Sequence, residues 1–141
     1  MRRTVLAFAC LLGVATPAVA EPIRLTDALG RTVEIALPPQ RIVPIFASNT
    51  ELVATLGLSD RIVGVEAYTR FPPEMTKKPQ VGGRLGFSVD AIVAQRPDLL
   101  IVTPARQAMH QLIDPMTRLG VPVVVLLARS VAEVMDNLRL V

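Results

Sequence analysis

Two groups of side chains have types and spacing suited to holding a ligand. The first is Ser48 and Asn49, which directly follow an apolar, β-branched run at residues 41–46 (RIVPIF). Ser48 is predicted to cap a helix, with Glu51 reaching back to it in a capping box. Because the backbone N–H groups at a helix N-terminus are unpaired, they favour an anionic or polar oxygen. The alternative interpretation is a capped helix that binds nothing.

The second group lies in a long connection, residues 66–87, between a second predicted strand and the next helix. Connections in compact domains are typically about 4–6 residues, and those beyond about 12–15 are usually functional or disordered. Aromatic rings suit a large, flat, partly apolar ligand, and basic side chains suit its carboxylates or phosphates. The candidates in this connection are Tyr68, Arg70, Phe71, Arg84 and Phe87. The alternative is a solvated loop with both Phe rings packed in the core.

A third candidate position, Arg106, follows the third predicted strand at residues 99–102 (LLIV). An arginine at this place can point into the same crevice as the other two groups. A solvated arginine on the surface of a helix is the alternative.

The glycine-rich segment at residues 82–86 (GGRLG) does not support a dinucleotide site. That fingerprint needs G-x-G-x-x-G spacing, with a strand directly before it and a helix directly after it. The spacing here is different, so the segment is predicted to be a flexible loop.

The sequence does not favour catalysis or a metal centre. It contains neither the G-x-S-x-G of a nucleophile elbow nor the H-E-x-x-H of a zinc protease. A single Cys (Cys10) and a single His (His110) exclude a disulfide scaffold and a zinc finger. We therefore predict no catalytic residue, no metal site and no resident cofactor, and interpret the chain as a binding protein. An exported α/β enzyme or sensor domain is the alternative.

The first twenty residues (MRRTVLAFACLLGVATPAVA) are typical of an export signal. Arg2 and Arg3 precede an apolar core of about ten residues, which is short for a transmembrane helix of about 20. A small-x-small pattern ends at Ala20, so residues 1–20 are predicted to be a signal peptide cleaved there, and the mature protein to be periplasmic. Of the 15 basic side chains, 13 then stand against 12 acidic ones, so no nucleic-acid-binding surface is expected.

The elements that must position these candidates alternate between strand and helix. A short β-hairpin is predicted over residues 23–35 with Gly30 at its turn. Four apolar runs are predicted strands, at 41–46, 61–65, 99–102 and 121–127. Each is followed by a predicted helix, the last with an apolar face of Val131, Val134, Leu138 and Val141. This alternation predicts an α/β fold with a doubly wound, mainly parallel sheet, in which ligands bind outside the carboxyl ends of the strands.

Several of these segments, in this order and spacing, resemble one known family. They are residues 41–65 (RIVPIFASNTELVATLGLSDRIVGV), 68–73 (YTRFPP), 81–83 (VGG), 88–102 (SVDAIVAQRPDLLIV) and 119–127 (LGVPVVVLL). The chain resembles the amino-terminal lobe of the periplasmic substrate-binding proteins of ABC importers for vitamin B12, iron-siderophores and haem. The resemblance implies one Rossmann-like lobe over residues 21–141. In the family a long helix joins this lobe to a second one, and both are missing from this sequence.

The resemblance also implies a function and partners. A metal chelate (an iron-siderophore, haem or a corrinoid) is held between the lobes, and the monomeric protein docks on an ABC permease in the inner membrane. Tyr68 matches a family position that often faces the ligand. Two positions differ from the family pattern. Thr103 and Pro104 replace an aromatic ring that is usual in vitamin B12-binding members, and residues 107–110 (QAMH) replace a docking Glu, which leaves another acid such as Glu74 for that contact.

Overall fold

The computed structural model describes residues 21–83, 86–103 and 109–141, so the predicted signal peptide lies outside the described residues. The strands are β1 (Ile23–Thr26), β2 (Thr32–Ile35), β3 (Ile42–Pro44), β4 (Val65–Glu66), β5 (Gln80–Gly83), β6 (Gly86–Phe87), β7 (Leu99–Val102) and β8 (Val123–Val125). The helices are α1 (Ala47–Thr55), α2 (Val89–Ala94), α3 (Asp114–Arg118) and α4 (Val131–Leu140). Short turns of 3₁₀ helix (Ser59–Arg61 and Pro73–Lys77) and π helix (Met109–Ile113) complete the set. None of the helices in these ranges has the length and apolar character needed to span a bilayer.

The central sheet is parallel, as predicted. Its order is β3-β7-β8, and Ile42 pairs with Leu99 while Leu100 pairs with Val123. A parallel bridge between Ile42 and Ile62 brings the segment before β4 to the outer side of β3. β4 in turn pairs in parallel with β5, and β6 returns antiparallel to β5. Strands joined through helices in this way make an α/β fold of the doubly wound type.

Both faces of the sheet are covered, which explains the continuous apolar runs of its strands. In β7, Leu100 and Val102 pack in one cluster with Ile92 of α2 and Met116 of α3. Leu99 and Ile101 point the other way and pack in a second cluster with residues of α1 and the β1–β2 hairpin. All four residues of β7 are buried. The side chains alternate because successive residues of a strand face opposite sides of the sheet.

The amino-terminal hairpin is confirmed and is fastened to the edge of the sheet. β1 and β2 pair antiparallel, and Gly30 at the turn has φ +74°, a conformation that glycine adopts without steric penalty. The N–H of Ala28 donates to the carbonyl of Val125 at 2.9 Å, and the Arg31 guanidinium donates to the carbonyl of Val123 at 3.0 Å. The hairpin therefore lies beside β8.

Beyond Ser48, the sequence predicts helix caps at Ser88, Thr103 and Ser130. The caps at Ser88 and Ser130 are confirmed, and the residues that follow Thr103 lie outside the described residues. The Ser88 hydroxyl accepts a hydrogen bond from the Ala91 N–H at 3.1 Å at the start of α2. The Ser130 hydroxyl accepts one from the Glu133 N–H at 3.2 Å at the start of α4. Each bond satisfies one of the donors that a helix leaves unpaired in its first turn.

The predicted apolar face of α4 is wrong in its first half. Val131 is 81% exposed and Val134 is also exposed, so neither packs on the sheet. Leu140 and Val141, near the end of the chain, pack against the second core cluster instead. Asn137 is buried because its side-chain amide donates to the Leu127 carbonyl at 2.9 Å, which ties the helix to the segment after β8.

The long connection is also different from the prediction. Residues 66–87 form a 3₁₀ turn and the β5–β6 pair, so much of the predicted loop belongs to a sheet. The glycines at 82, 83 and 86, predicted to be a flexible loop, lie in these two strands. A Cβ on Gly82 would lie 2.5 Å from Cδ1 of Phe87, so the absence of a side chain is what lets this ring lie against the backbone.

Candidate functional site

The ends of three neighbouring strands meet at one edge of the sheet, which we call the carboxyl edge. It consists of residues 45–49 after β3, residues 66–67 at the end of β4, and Thr103 after β7. β3 and β7 run in parallel, and Val63 donates to the carbonyl of Ile42 at 3.0 Å just before β4. In open α/β sheets this edge is where ligands bind.

The helix that begins at the carboxyl edge starts two residues earlier than predicted. Phe46, with φ 75° and ψ 141°, is the N-cap of α1, and Ser48 lies exposed in the first turn. The prediction of Ser48 as the cap is therefore wrong. The backbone at Phe46 is in a region that side chains with a Cβ rarely adopt, and holding it there costs on the order of 1–3 kcal/mol.

Asn49 is used inside the protein. Its side chain is buried, and the amide donates to the carbonyl of Ile45 at 2.6 Å and to the hydroxyl of Thr103 at 3.2 Å. These bonds join the first turn of α1 to the ends of β3 and β7. Asn49 therefore holds the carboxyl edge together.

Glu66 occupies the N-terminus of α1, where the sequence predicts an oxygen from a ligand. Its carboxyl lies near the N–H of Ala47, the first residue of the helix. Burial raises the pKa of this carboxyl above its ordinary value of 4.5, and the Ala47 N–H opposes the rise only in part. A carboxylate of the protein thus lies near the helix N-terminus, where it would repel a second anion.

Two aromatic rings pair at the carboxyl edge. The centroids of Phe46 and Phe87 are 5.5 Å apart, and their planes make an angle of 79°, an edge-to-face contact. Phe87 lies opposite Gly82 in the β5–β6 register, and Gly82 in turn lies opposite Glu66. Both rings are partly buried against the first core cluster.

Farther along the chain, aromatic side chains stand in solvent. Tyr68 is 52% exposed and Phe71 is 60% exposed, so the interpretation of Phe71 as a core residue is wrong. The Arg70 guanidinium lies between them in sequence and donates to the carbonyls of Ala67 (2.7 Å) and Thr69 (3.0 Å). These bonds hold the arginine to the turn after β4, between the two exposed aromatic residues in sequence.

The two remaining predicted site residues, Arg84 and Arg106, lie outside the described residues. Their roles stay predictions. Of the other six, the structure brings Ser48, Asn49 and Phe87 to the carboxyl edge. Tyr68, Arg70 and Phe71 follow directly after it.

A cavity of about 380 Å³ opens beside the carboxyl edge, between α1 and α4. Ser48, Asn49 and Thr103 line its inner side, and Val134 and Leu138 line its outer side. None of Tyr68, Phe71 and Phe87 lines this cavity, so it lies beside these aromatic residues and is not formed by them.

Sequence reasoning missed Phe46 and Glu66 as site residues. Phe46 ends one predicted strand and Glu66 directly follows another, and this position at a strand end is the one signal that could have found them. In the part of the chain that the structure describes, no three His, Cys, Asp or Glu side chains cluster in a way that could hold a metal ion. The site offers rings, a carboxylate and hydrogen-bonding edges, which suits it to holding a molecule.

An α/β fold with exposed aromatic side chains beside the carboxyl edge of its sheet has the character of a solute-binding protein. Comparison with known proteins supports this interpretation. Residues 42–141 match the family described as periplasmic binding protein, and the chain belongs to that family. An ABC transporter substrate-binding lipoprotein of Bacillus subtilis is 30% identical over 126 residues, which are 85% of this chain and 38% of that protein. The vitamin B12-binding protein of Salmonella choleraesuis is 34% identical over 99 residues, 70% of this chain and 36% of that protein.

Solved structures show the same fold. The periplasmic vitamin B12-binding protein BtuF of Vibrio cholerae matches with a TM-score of 0.65 and 27% identity over 71% of this chain and 39% of that one. The heme-binding protein HmuT matches with a TM-score of 0.69 and 29% identity over 88% of this chain and 40% of that one. The chain thus spans well under half the length of the relatives that it matches.

Proposed function

We propose that this protein is the solute-binding component of an ABC importer. In this role it captures a metal chelate (an iron-siderophore, haem or a corrinoid) and delivers it to a permease in the inner membrane. The observation that carries the proposal is the pair of exposed aromatic side chains, Tyr68 and Phe71, beside the carboxyl edge. Rings exposed to this extent have little to do with holding the fold, and their flat faces match the large ring systems of such ligands. Relatives named for vitamin B12 and heme binding support the same class of ligand.

The proposed binding surface has distinct parts. Tyr68, Phe71 and Phe87 supply apolar contact, and Arg70, Arg84 and Arg106 meet acidic groups of the ligand. Ser48 contributes a hydroxyl from the exposed first turn of α1. Asn49 acts as a positioning residue, because its amide is bonded to Ile45 and Thr103.

Residues 21–141 are proposed to be the amino-terminal lobe of a bilobal protein. The support is that the matched relatives are between two and three times as long as the stretch they share with this chain. Ligand would then be held between this lobe and a second one, and the loaded protein would act as a monomer. Residues 1–20 are proposed to direct export to the periplasm and to be removed after Ala20. Amino-terminal sequencing of secreted protein checks this directly, since mature protein must begin at Glu21.

The proposed function is tested with full-length protein prepared from its native host. The visible absorption spectrum of freshly purified protein distinguishes haem, a corrinoid and a ferric siderophore. Titration calorimetry with haemin, cyanocobalamin and a ferric tris-catecholate then identifies which one binds. If none of the three binds and a metal ion or a small polar solute does, the proposed ligand class is wrong.

A pair of matched variants tests whether the exposed aromatic side chains contribute to ligand binding. Tyr68→Ala removes an exposed ring beside the carboxyl edge, and Leu119→Ala removes an exposed apolar side chain between α3 and β8, away from the site. We expect Tyr68→Ala to raise Kd by about tenfold, which is about 1.4 kcal/mol of binding free energy. Leu119→Ala should leave Kd within about twofold of the parent value, because a single exposed contact elsewhere contributes little.

A further inference from the structure

Phe46 combines a strained backbone with a partly exposed side chain at the carboxyl edge. Its φ of 75° lies where glycine is comfortable and a residue with a Cβ is not. A glycine at this position would relieve the strain and still allow the chain to pass from β3 into α1. The strain is therefore accounted for only by something that the Phe46 ring supplies and a hydrogen atom does not.

Deep burial of the Phe46 ring does not account for the strain. The ring is only partly buried against the first core cluster, and the fully buried residues of that cluster come from the strands, α2, α3 and the π-helical turn. Phe46 is the N-cap of α1 at the carboxyl edge, and the next residue, Ala47, has its N–H near the Glu66 carboxyl.

The ring is also held firmly. The edge-to-face contact with Phe87 restrains it on one side. The Phe87 ring packs directly against Gly82, where a Cβ would lie 2.5 Å from the ring. An aromatic ring that is already fixed loses little side-chain entropy when a ligand settles on it, so its contact energy appears more fully as affinity.

We propose that Phe46 is a ligand-contacting and specificity-determining residue, whose ring is a pre-set apolar platform for a flat ring system of the ligand. This rests on the proposed function and deepens it. The part of the chelate over Phe46 is uncharged, because the neighbouring Glu66 carboxylate disfavours a ligand carboxylate or phosphate at this corner.

The test uses three substitutions at one position in the full-length protein. Phe46→Gly removes the ring and the strain, Phe46→Ala removes the ring and keeps the strain, and Phe46→Leu keeps apolar bulk without a flat face. Val121→Ala is the control, because Val121 is also partly buried against the first core cluster but lies before β8, at the other end of the sheet. Kd for haemin, cyanocobalamin and a ferric tris-catecholate, and the thermal midpoint without ligand, are measured for each variant.

We expect Phe46→Gly and Phe46→Ala to raise Kd by about tenfold alike, about 1.4 kcal/mol, and Phe46→Leu to raise it by less. We also expect Phe46→Gly to melt at a higher temperature than Phe46→Ala. This reverses the usual order, in which glycine is less stable than alanine because it has more freedom when unfolded. Val121→Ala should lower the thermal midpoint and leave Kd unchanged within about twofold.

The outcomes separate the two proposals. If the parent protein binds one of the three probes and Phe46→Gly binds it equally well, the platform is wrong and the proposed function stands. If Phe46→Gly melts below Phe46→Ala, the strain that motivates the platform is absent and the inference fails. If the parent protein binds none of the probes, the proposed function is wrong, and so is the proposed ligand contact of Phe46.

Discussion

The carboxylate of Asp27 is expected to hold the hairpin to the edge of the sheet. Its side chain has no exposed surface, and it accepts hydrogen bonds from five donors. Two are the N–H groups of Leu29 and Arg31 in the hairpin turn, each at 3.0 Å, and two are guanidinium atoms of Arg31, at 3.0 and 2.5 Å. The fifth is the N–H of Val125 in β8, at 3.3 Å.

Removing this carboxylate leaves buried donors without a partner. A hydrogen bond to a charged group contributes about 1.5–3 kcal/mol, and an unpaired buried donor costs about 1–3 kcal/mol. Arg31 remains partly in water, which offsets its share of the loss. We therefore expect Asp27→Ala to lower the free energy of unfolding by about 3–4 kcal/mol. Asp27→Asn should cost about 2 kcal/mol, because one side-chain oxygen still accepts from the turn.

The effect must depend on pH with a definite sign. Burial on its own raises the pKa of Asp27, but the hydrogen bonds from the Arg31 side chain and the turn N–H groups outweigh it and hold the pKa below its ordinary value of 3.8. A carboxyl whose pKa is lowered by folding stabilises the native state fully above the unfolded pKa, and loses this contribution as the pH falls through the folded pKa. The difference between parent and Asp27→Asn should therefore be constant near neutral pH and shrink below about pH 4.

Urea denaturation at pH 7 and at a series of acidic pH values measures these free energies. Asp136→Asn is the matched control, since its ion pair with Arg139 is 2.8 Å long but more than two-thirds exposed on both sides. Exposed pairs contribute about 0–1 kcal/mol, so this variant should be nearly neutral. A cost below about 1 kcal/mol for Asp27→Ala, or a difference for Asp27→Asn that does not change between pH 7 and pH 3, would refute the reasoning.

Three further predictions concern other contacts. Gly82→Ala should lower the free energy of unfolding by about 1–3 kcal/mol. The new Cβ would lie 2.5 Å from the Phe87 ring and 3.1 Å from the Gly86 carbonyl oxygen. Unchanged stability in urea denaturation would contradict the close packing of β5 on β6. Ser130→Ala should cost about 1 kcal/mol through the lost cap of α4, and a helix as stable as the parent by thermal denaturation would argue against the cap. Glu66→Gln should stabilise the protein at pH 7, because a carboxyl with a raised pKa contributes stability below its unfolded pKa and loses it as the pH rises through the folded pKa. Its advantage in urea denaturation should vanish below about pH 4.5, and an advantage that persists there would exclude this cause.

Much of the frame of the fold is predictable from the sequence. The four residues of β7 (LLIV) are apolar without alternation, which indicates a strand covered on both faces, and they are buried on both faces. Ser88 and Ser130 stand before apolar helical patterns and cap helices, and Gly30 marks a turn that needs positive φ. These features depend on neighbours a few residues away, so local sequence is sufficient to predict them.

The predictions that failed depend on distant contacts. The segment 66–87 has few strand-like runs, yet part of it forms β5 because β4 offers it an open edge with parallel partners. Val131 and Val134 follow a helical apolar spacing, but the orientation of α4 is decided by where Asn137, Leu140 and Val141 find partners on the sheet. Spacing alone predicts that a face is apolar and does not predict what covers it.

By itself, the sequence determined the class of protein: the alternation of elements, the hairpin, and the segments that resemble periplasmic binding proteins all follow from local pattern. Only the tertiary structure decided the character of the site. It placed Glu66 at the N-terminus of α1, joined Asn49 to Thr103 across two strands, and set Phe46 against Phe87. The physical reason is that these partners lie between about 20 and 50 residues apart in the chain. Their contacts exist only after the sheet has brought its carboxyl ends together.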